Sequence, residues 1–173
     1  MRKPPFAKYA SARLALILLG VVVAFNVFIM PRLVGDEKVV PIDLQFAYTP
    51  KQAYALIDTY SDETRSTYAR GEMTFDVAYP IVYTLFMSVT LMLLYPNKWK
   101  IAWLPYVVFG ADMLENTGII VMLWSYPTQL TLIAWITSIF STIKWTLVLV
   151  VLLFIFVGLG RKLFTQKYIS YLA

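Results

Sequence analysis

An all-α fold, a four-helix transmembrane bundle with both termini on one side, is what this sequence predicts, and three observations carry the prediction. The 173 residues are 60% hydrophobic with a mean hydropathy of +0.67, which is too apolar for a soluble domain. Four stretches, about 14–30, 73–95, 101–124 and 131–160, approach or exceed the ~20 apolar residues needed to cross ~30 Å of hydrocarbon. Basic residues collect at one set of ends. Arg2, Lys3, Lys8 and Arg13 precede the first span, Lys98 and Lys100 separate the second and third, and Arg161, Lys162 and Lys167 follow the fourth, with no acid among them. The intervening loop 31–72 holds seven acids against five basic residues. Because positive loops stay on the cytoplasmic side, a single integral domain over residues 1–173 is expected in a bacterial inner cell membrane, multi-pass, with both termini cytoplasmic and loop 31–72 outside.

Each element follows from local chemistry. Span one is nearly all Leu, Val, Ile and Ala with Asn26 as its one amide, and Pro31 ends it. It is long for a signal-peptide core, and Pro31-Arg32-Leu33-Val34 offers no small-residue cleavage site, so it is expected to remain as a span. The stretch to Tyr48 alternates and contains Pro41, which predicts extended chain on the outer end of the bundle. Thr49-Pro50 reads as an N-cap followed by proline at the first helical position, with Ala53, Tyr54 and Ile57 on one face of a short amphipathic helix at the outer interface. Ser61 before Asp62 and Glu63 starts the next helix, its acids in the first turn where the helix dipole favours them. Only Gly71 and Pro80 interrupt that helix before Tyr95, so it is expected to project about three turns beyond the bilayer and to kink at Pro80. Turns at Pro96-Asn97-Lys98 and Tyr126-Pro127-Thr128 make spans two, three and four antiparallel neighbours, with Trp99 and Trp103 in an inner aromatic belt and Trp124 and Tyr126 in an outer one. Span four is expected to end near Gly158 and Gly160.

The composition closes off several kinds of chemistry. With no Cys and no His, thiolate nucleophiles, disulfide exchange, Cys or His metal ligands and His-based triads are all excluded. The net charge of +5 sits at the membrane ends, where it reads as a topology signal in contact with anionic lipid rather than as a nucleic-acid surface. The expected partner is the lipid bilayer, with no nucleic acid.

Against this apolar background, Asp76, Asp112, Glu115 and Lys144 fall inside the spans. A charge at the bilayer centre costs about 2.5–3.5 kcal/mol on the mildest insertion scale, so such residues face a bundle interior or a wet cavity. At 100° per residue, span two puts Glu72, Asp76, Tyr79, Tyr83 and Thr90 on one face, span three Asp112, Glu115 and Asn116, and span four Thr137, Ser141 and Lys144. Three matching polar stripes are expected to meet, with Lys144 on Glu115 and Asp112 and with Asp76, Tyr79 and Tyr83 lining a path outward. Asp76, Tyr79, Tyr83, Asp112, Glu115, Asn116, Ser141 and Lys144 are therefore the candidate residues for binding a ligand or a proton. No catalytic role, cofactor or metal site is assigned. Such groups also serve simply as glue between helices, and aromatics such as Tyr79, Tyr83 and Trp145 are more often core than ligand contacts.

Three motifs, Asp43-Leu44-Gln45-Phe46-Ala47-Tyr48-Thr49-Pro50, Phe75-Asp76-Val77-Ala78-Tyr79-Pro80 and Asp112-Met113-Leu114-Glu115-Asn116, resemble those of a functionally uncharacterised family of small bacterial four-helix integral membrane proteins. The resemblance covers nearly the whole chain and implies that the three motifs belong together; it lends no activity. Four helices with buried acids and aromatics are also similar in architecture to the EXPERA group, whose members bind sterol-like amphiphiles within the membrane, although a lysine inside span four departs from that group. The four-helix quinone-linked thiol oxidases share the topology but need cysteines, and are excluded.

Four readings of function follow. The first is a pocket between spans two, three and four for a small amphiphilic or lipid-like ligand. The others are an intramembrane acid/base enzyme of isomerase type, proton or cation transport, and a partner subunit whose acidic outer loop docks another protein. Transport would more often show inverted repeats and broken helices, and the pocket is the reading the sequence favours.

Overall fold

The computed structural model describes residues 4, 7–29 and 40–172, with side chains as far as Phe164, and every regular element in it is helical. Helix α1 (Ala12–Ala24) starts at Ser11, whose Oγ accepts the Leu14 amide at 3.2 Å, and it widens into a π turn over Phe25–Ile29. Helix α2 (Pro50–Asp58) opens with a reciprocal capping box. The Thr49 hydroxyl accepts the Gln52 amide at 3.3 Å, and the Gln52 side chain accepts the Thr49 amide at 2.8 Å. Helix α3 (Asp62–Leu94) is capped by Ser61 and runs unbroken through Pro80. Helices α4 (Leu104–Ser125) and α5 (Thr131–Leu172) complete the set.

Four of these helical regions are long and apolar enough to cross a membrane. Two connections differ from expectation. The join between α3 and α4 is not a tight turn but an eight-residue 3-10 stretch, Pro96–Trp103, broken at Lys98. Helix α5 does not stop at its glycines but continues to Leu172. A glycine inside a helix costs only about 1 kcal/mol, and Gly158 has a packing use: a Cβ there would lie 3.0 Å from Leu94 and Tyr95, so its absence lets α5 close on the end of α3.

Helix α4 lies between α3 and α5, and α1 leans on α3. Lipid tails are as apolar as leucine, so close van der Waals approach and interhelical hydrogen bonds must hold such a bundle. At the α4–α5 crossing, Gly118 supplies that closeness: a Cβ there would sit 1.9 Å from the Thr137 hydroxyl. Two apolar cores result. One joins Ile42, Ile57, Tyr60, Tyr68, Ile119 and Met122 at the end carrying α2, the loop end; the other joins Val89, Leu91, Val108, Val151 and Ile155 toward the chain termini. A buried polar layer of Asp76, Asp112, Glu115, Asn116, Ser141 and Lys144 separates them. The expected amphipathic face of α2, Ala53, Tyr54 and Ile57, is the buried one, and it closes the loop-end core.

Substituting Gly118→Leu should destabilise the folded protein by about 1–3 kcal/mol, the range for overpacking a filled core. A lowered thermal midpoint in detergent, partly restored by adding Thr137→Ala, is the expected result; an unchanged midpoint would show that the crossing is loose.

Candidate functional site

Lys144 projects from α5 into the polar layer with its side chain almost entirely out of solvent. Its ammonium ion-pairs with Glu115 and with Asp112 Oδ1 (3.2 Å), both on α4, and donates to the carbonyl of Asp43 at 3.4 Å. Three hydrogens thus find three acceptors, the full capacity of the group. The second Asp112 oxygen accepts from the Tyr83 hydroxyl at 2.6 Å. Tyr83 meets Tyr79 edge-on at 5.4 Å between ring centres, and Tyr79 stacks on Phe25 at 5.6 Å. Asn26 completes the line, donating to the Tyr79 hydroxyl at 2.8 Å and the Val22 carbonyl at 2.9 Å. The π turn that carries Phe25 and Asn26 therefore brings α1 onto the site.

The stretch before α2 differs from the expectation. Instead of lying extended across the end of the bundle, residues 42–48 dip along α5. The indole N–H of Trp145 donates to the Asp43 carbonyl (3.1 Å), Ser141 Oγ to Gln45 (2.6 Å) and Thr142 Oγ1 to Phe46 (3.2 Å), while the Tyr48 amide donates to Ser138 Oγ (2.9 Å). From Ser138 to Trp145 the segment tracks seven residues of helix, about 10 Å at 1.5 Å per residue. Backbone that leaves the α-helix within a bundle needs such partners for its carbonyls; the Gln45 amide meets that of Ile42 in a short 3-10 turn, Ile42–Leu44, and side chains of α5 meet those of Asp43, Gln45 and Phe46. The part of the predicted outer loop from 31 to 39 lies outside the described residues. Beside the dip, burial pushes the Tyr48 phenol well above its ordinary pKa, with the Glu115 charge adding to the shift. Burial does the same to Tyr60, with a contribution from Asp43, so both remain neutral phenols.

Asn116 answers a different need. Proline has no N–H, so Pro80 leaves the carbonyl four residues earlier, that of Asp76, without its helical donor. Asn116 Nδ2 donates to that carbonyl at 3.0 Å. This bond ties α4 to α3 and holds the backbone of Asp76 in place.

A cavity of about 400 Å³ lies beside this network, in the wedge between α1 and α5 with α3 behind it. Its loop end is lined by Asp43, Tyr68, Glu72 and Asp76, its middle by Asp112, Lys144 and Trp145, and its far end by Phe86, Met87, Val148 and Leu152. Of the candidate residues, Asp76, Tyr79, Tyr83, Asp112 and Lys144 line it, whereas Glu115, Asn116 and Ser141 do not: they hold Lys144, Asp76 and Gln45 from behind. The polar stripes of α3, α4 and α5 do converge, yet the open space is not central to those three helices, and α4 contributes only Asp112 to its wall. Sequence reasoning placed Asp43 among the loop acids and began the second span at Met73, so Asp43 and Tyr68 were missed. The run Tyr68, Glu72, Asp76, Tyr79, Tyr83 and Met87, spaced four, four, three, four and four, was the signal that extends the cavity face beyond the span. Carboxylate oxygens of Asp43, Glu72 and Asp76 lie within 4.8 Å of one another.

No protein-family model, no curated protein and no solved structure matches this chain.

Removing one partner from a buried charge pair costs about 3–5 kcal/mol because the other is left uncompensated. Lys144→Met should therefore lower the unfolding midpoint strongly, and combining it with Asp112→Asn and Glu115→Gln should recover much of the loss. Equal stability of Lys144→Met and the parent would contradict the account of this network.

Proposed function

We propose that this chain is an integral membrane protein that binds a small amphiphilic or lipid-like molecule in the cavity between α1, α3 and α5, with the loop end facing away from the cytoplasm. One observation carries the reading: the cavity is polar at one end and apolar at the other. Acids, a lysine and tyrosine hydroxyls gather toward the loop end, and Phe86, Met87, Val148 and Leu152 line the opposite end. From Tyr68 to Met87 the α3 wall alone spans about 28 Å at 1.5 Å per residue. That arrangement suits a molecule with a compact polar head and a slender apolar body, and pockets of 300–1,000 Å³ with a few convergent polar groups are the usual ligand sites.

The chain of polar groups also bears on transport. Beyond Asp112 toward the termini, the next hydroxyls on α3 are already engaged: Thr84 donates to the Pro105 carbonyl and Ser88 to that of Ala102. A proton or ion moving from Asp76 to Asp112 would meet Phe86 and Met87 next, which favours a binding pocket closed at one end over a relay.

Native mass spectrometry of the detergent-purified protein tests this. A discrete co-purifying lipid or isoprenoid, lost when Val148→Trp fills the apolar end but retained in Leu149→Trp on the exposed face of the same helix, is expected. Bound species that are absent from the parent, or indifferent to Val148→Trp, would count against the pocket.

A further inference from the structure

We propose that Asp43, Glu72 and Asp76 form a binding site for a hard divalent cation at the loop end of the cavity. The sequence reading assigned no metal site and placed Asp43 in the outer loop; the dip of residues 42–48 brings it instead to α3, where Glu72 and Asp76 stand one turn apart on the same face. Carboxylate oxygens from all three lie within 4.8 Å of one another. A Ca²⁺ ion with oxygens at about 2.3–2.6 Å places opposite ligands roughly 5 Å apart, so the three groups fit around a single ion.

Charge gives the second reason. Lys144 has spent its hydrogens on Asp112, Glu115 and the Asp43 carbonyl. Arg65 turns to Asp62 and to the Tyr60 and Ile57 carbonyls, and Arg70 to the Ser66 carbonyl. Among the described residues no cationic side chain pairs with the carboxylates of the triad. Like charges at this spacing in a low-dielectric wall repel strongly, and a cation removes that cost.

A third observation is independent of the clustering. Glu72 is 2% exposed and lines the cavity, and its buried Oε2 has no hydrogen-bond partner. A buried carboxylate oxygen left without a donor is costly, and a metal–oxygen bond satisfies it. The surroundings are those of a supported ligand set: the Tyr68 hydroxyl donates to Asp43 Oδ1, orienting it, while Asn116 fixes the backbone of Asp76. With only oxygen donors, the site selects Ca²⁺, Mg²⁺ or Mn²⁺ over thiophilic or imidazole-seeking metals. The proposal stands whether or not an amphiphile fills the rest of the cavity.

The full-length protein, purified in detergent and stripped with a chelator, is to be titrated with CaCl₂, MgCl₂ and MnCl₂ alone, following Mn²⁺ by electron paramagnetic resonance and all three by calorimetry and thermal unfolding. One saturable ion per chain and a rise in unfolding midpoint are expected. Glu72→Gln and Asp76→Asn should each weaken binding at least tenfold, while Asp58→Asn, on the exposed surface of α2, leaves it unchanged. Both site variants keep the volume of the original side chain, and circular dichroism in the absence of metal checks their fold; should one not fold, the other decides. Absence of saturable binding to the parent, or equal affinity in the parent and a folded Glu72→Gln or Asp76→Asn, overturns the proposal and leaves protons as the neutralising species.

Discussion

The ammonium of Lys144 joins three parts of the chain that would otherwise have no reason to meet. Two of its bonds go to carboxylates on α4, and the third goes to a backbone carbonyl in the dipping segment 101 residues earlier. A lysine placed this deep is tolerable only with its charge matched and every hydrogen accepted. Meeting that requirement sets the rotation of α4 against α5 and pulls Asp43 down beside α3. Through Asp112 it also reaches Tyr83, Tyr79 and Asn26, and so places α1. The cavity exists because these residues are held around it rather than collapsed into it.

A second constraint acts on the backbone. Every N–H and C=O taken out of water must be paired. Among the described residues, the dip at 42–48 and the proline in α3 both interrupt the α-helical pairing beside the site. Each is repaired by a side chain from a neighbouring helix. Ser141, Thr142 and Trp145 serve the dip, and Asn116 serves the Asp76 carbonyl that Pro80 leaves free. Residues that look like candidate ligand groups in a helical projection are, in three dimensions, partly occupied with this repair. That is why Asn116 and Ser141 sit behind the cavity and not on its wall.

Much of this was legible in the sequence. The four long apolar helices, the caps at Ser61 and Thr49, the buried face of α2 and the meeting of Lys144 with Asp112 and Glu115 all follow from short-range patterns: hydropathy, helix-start residues and a 100° step. What was not legible shares one cause, contact between parts distant in the chain. Asp43 reads as a loop acid because nothing local says that its segment turns inward. The glycines near the end of α5 read as a terminus because propensity is local, whereas the closeness that Gly158 permits is a fact about Leu94 and Tyr95.

The sequence by itself determined that the chain is helical, with four stretches long and apolar enough to cross a membrane, and that its charges must be buried together, because the energetic penalties for exposed backbone and isolated charge in an apolar medium are large and depend on composition and period alone. Only the tertiary structure decided where the open space lies, which acids face it, and that three of them crowd together with no cationic side chain of the described chain between them. Those outcomes turn on a few ångströms of helix approach and on one segment folding back. Both depend on pairings across dozens of residues that no local pattern encodes.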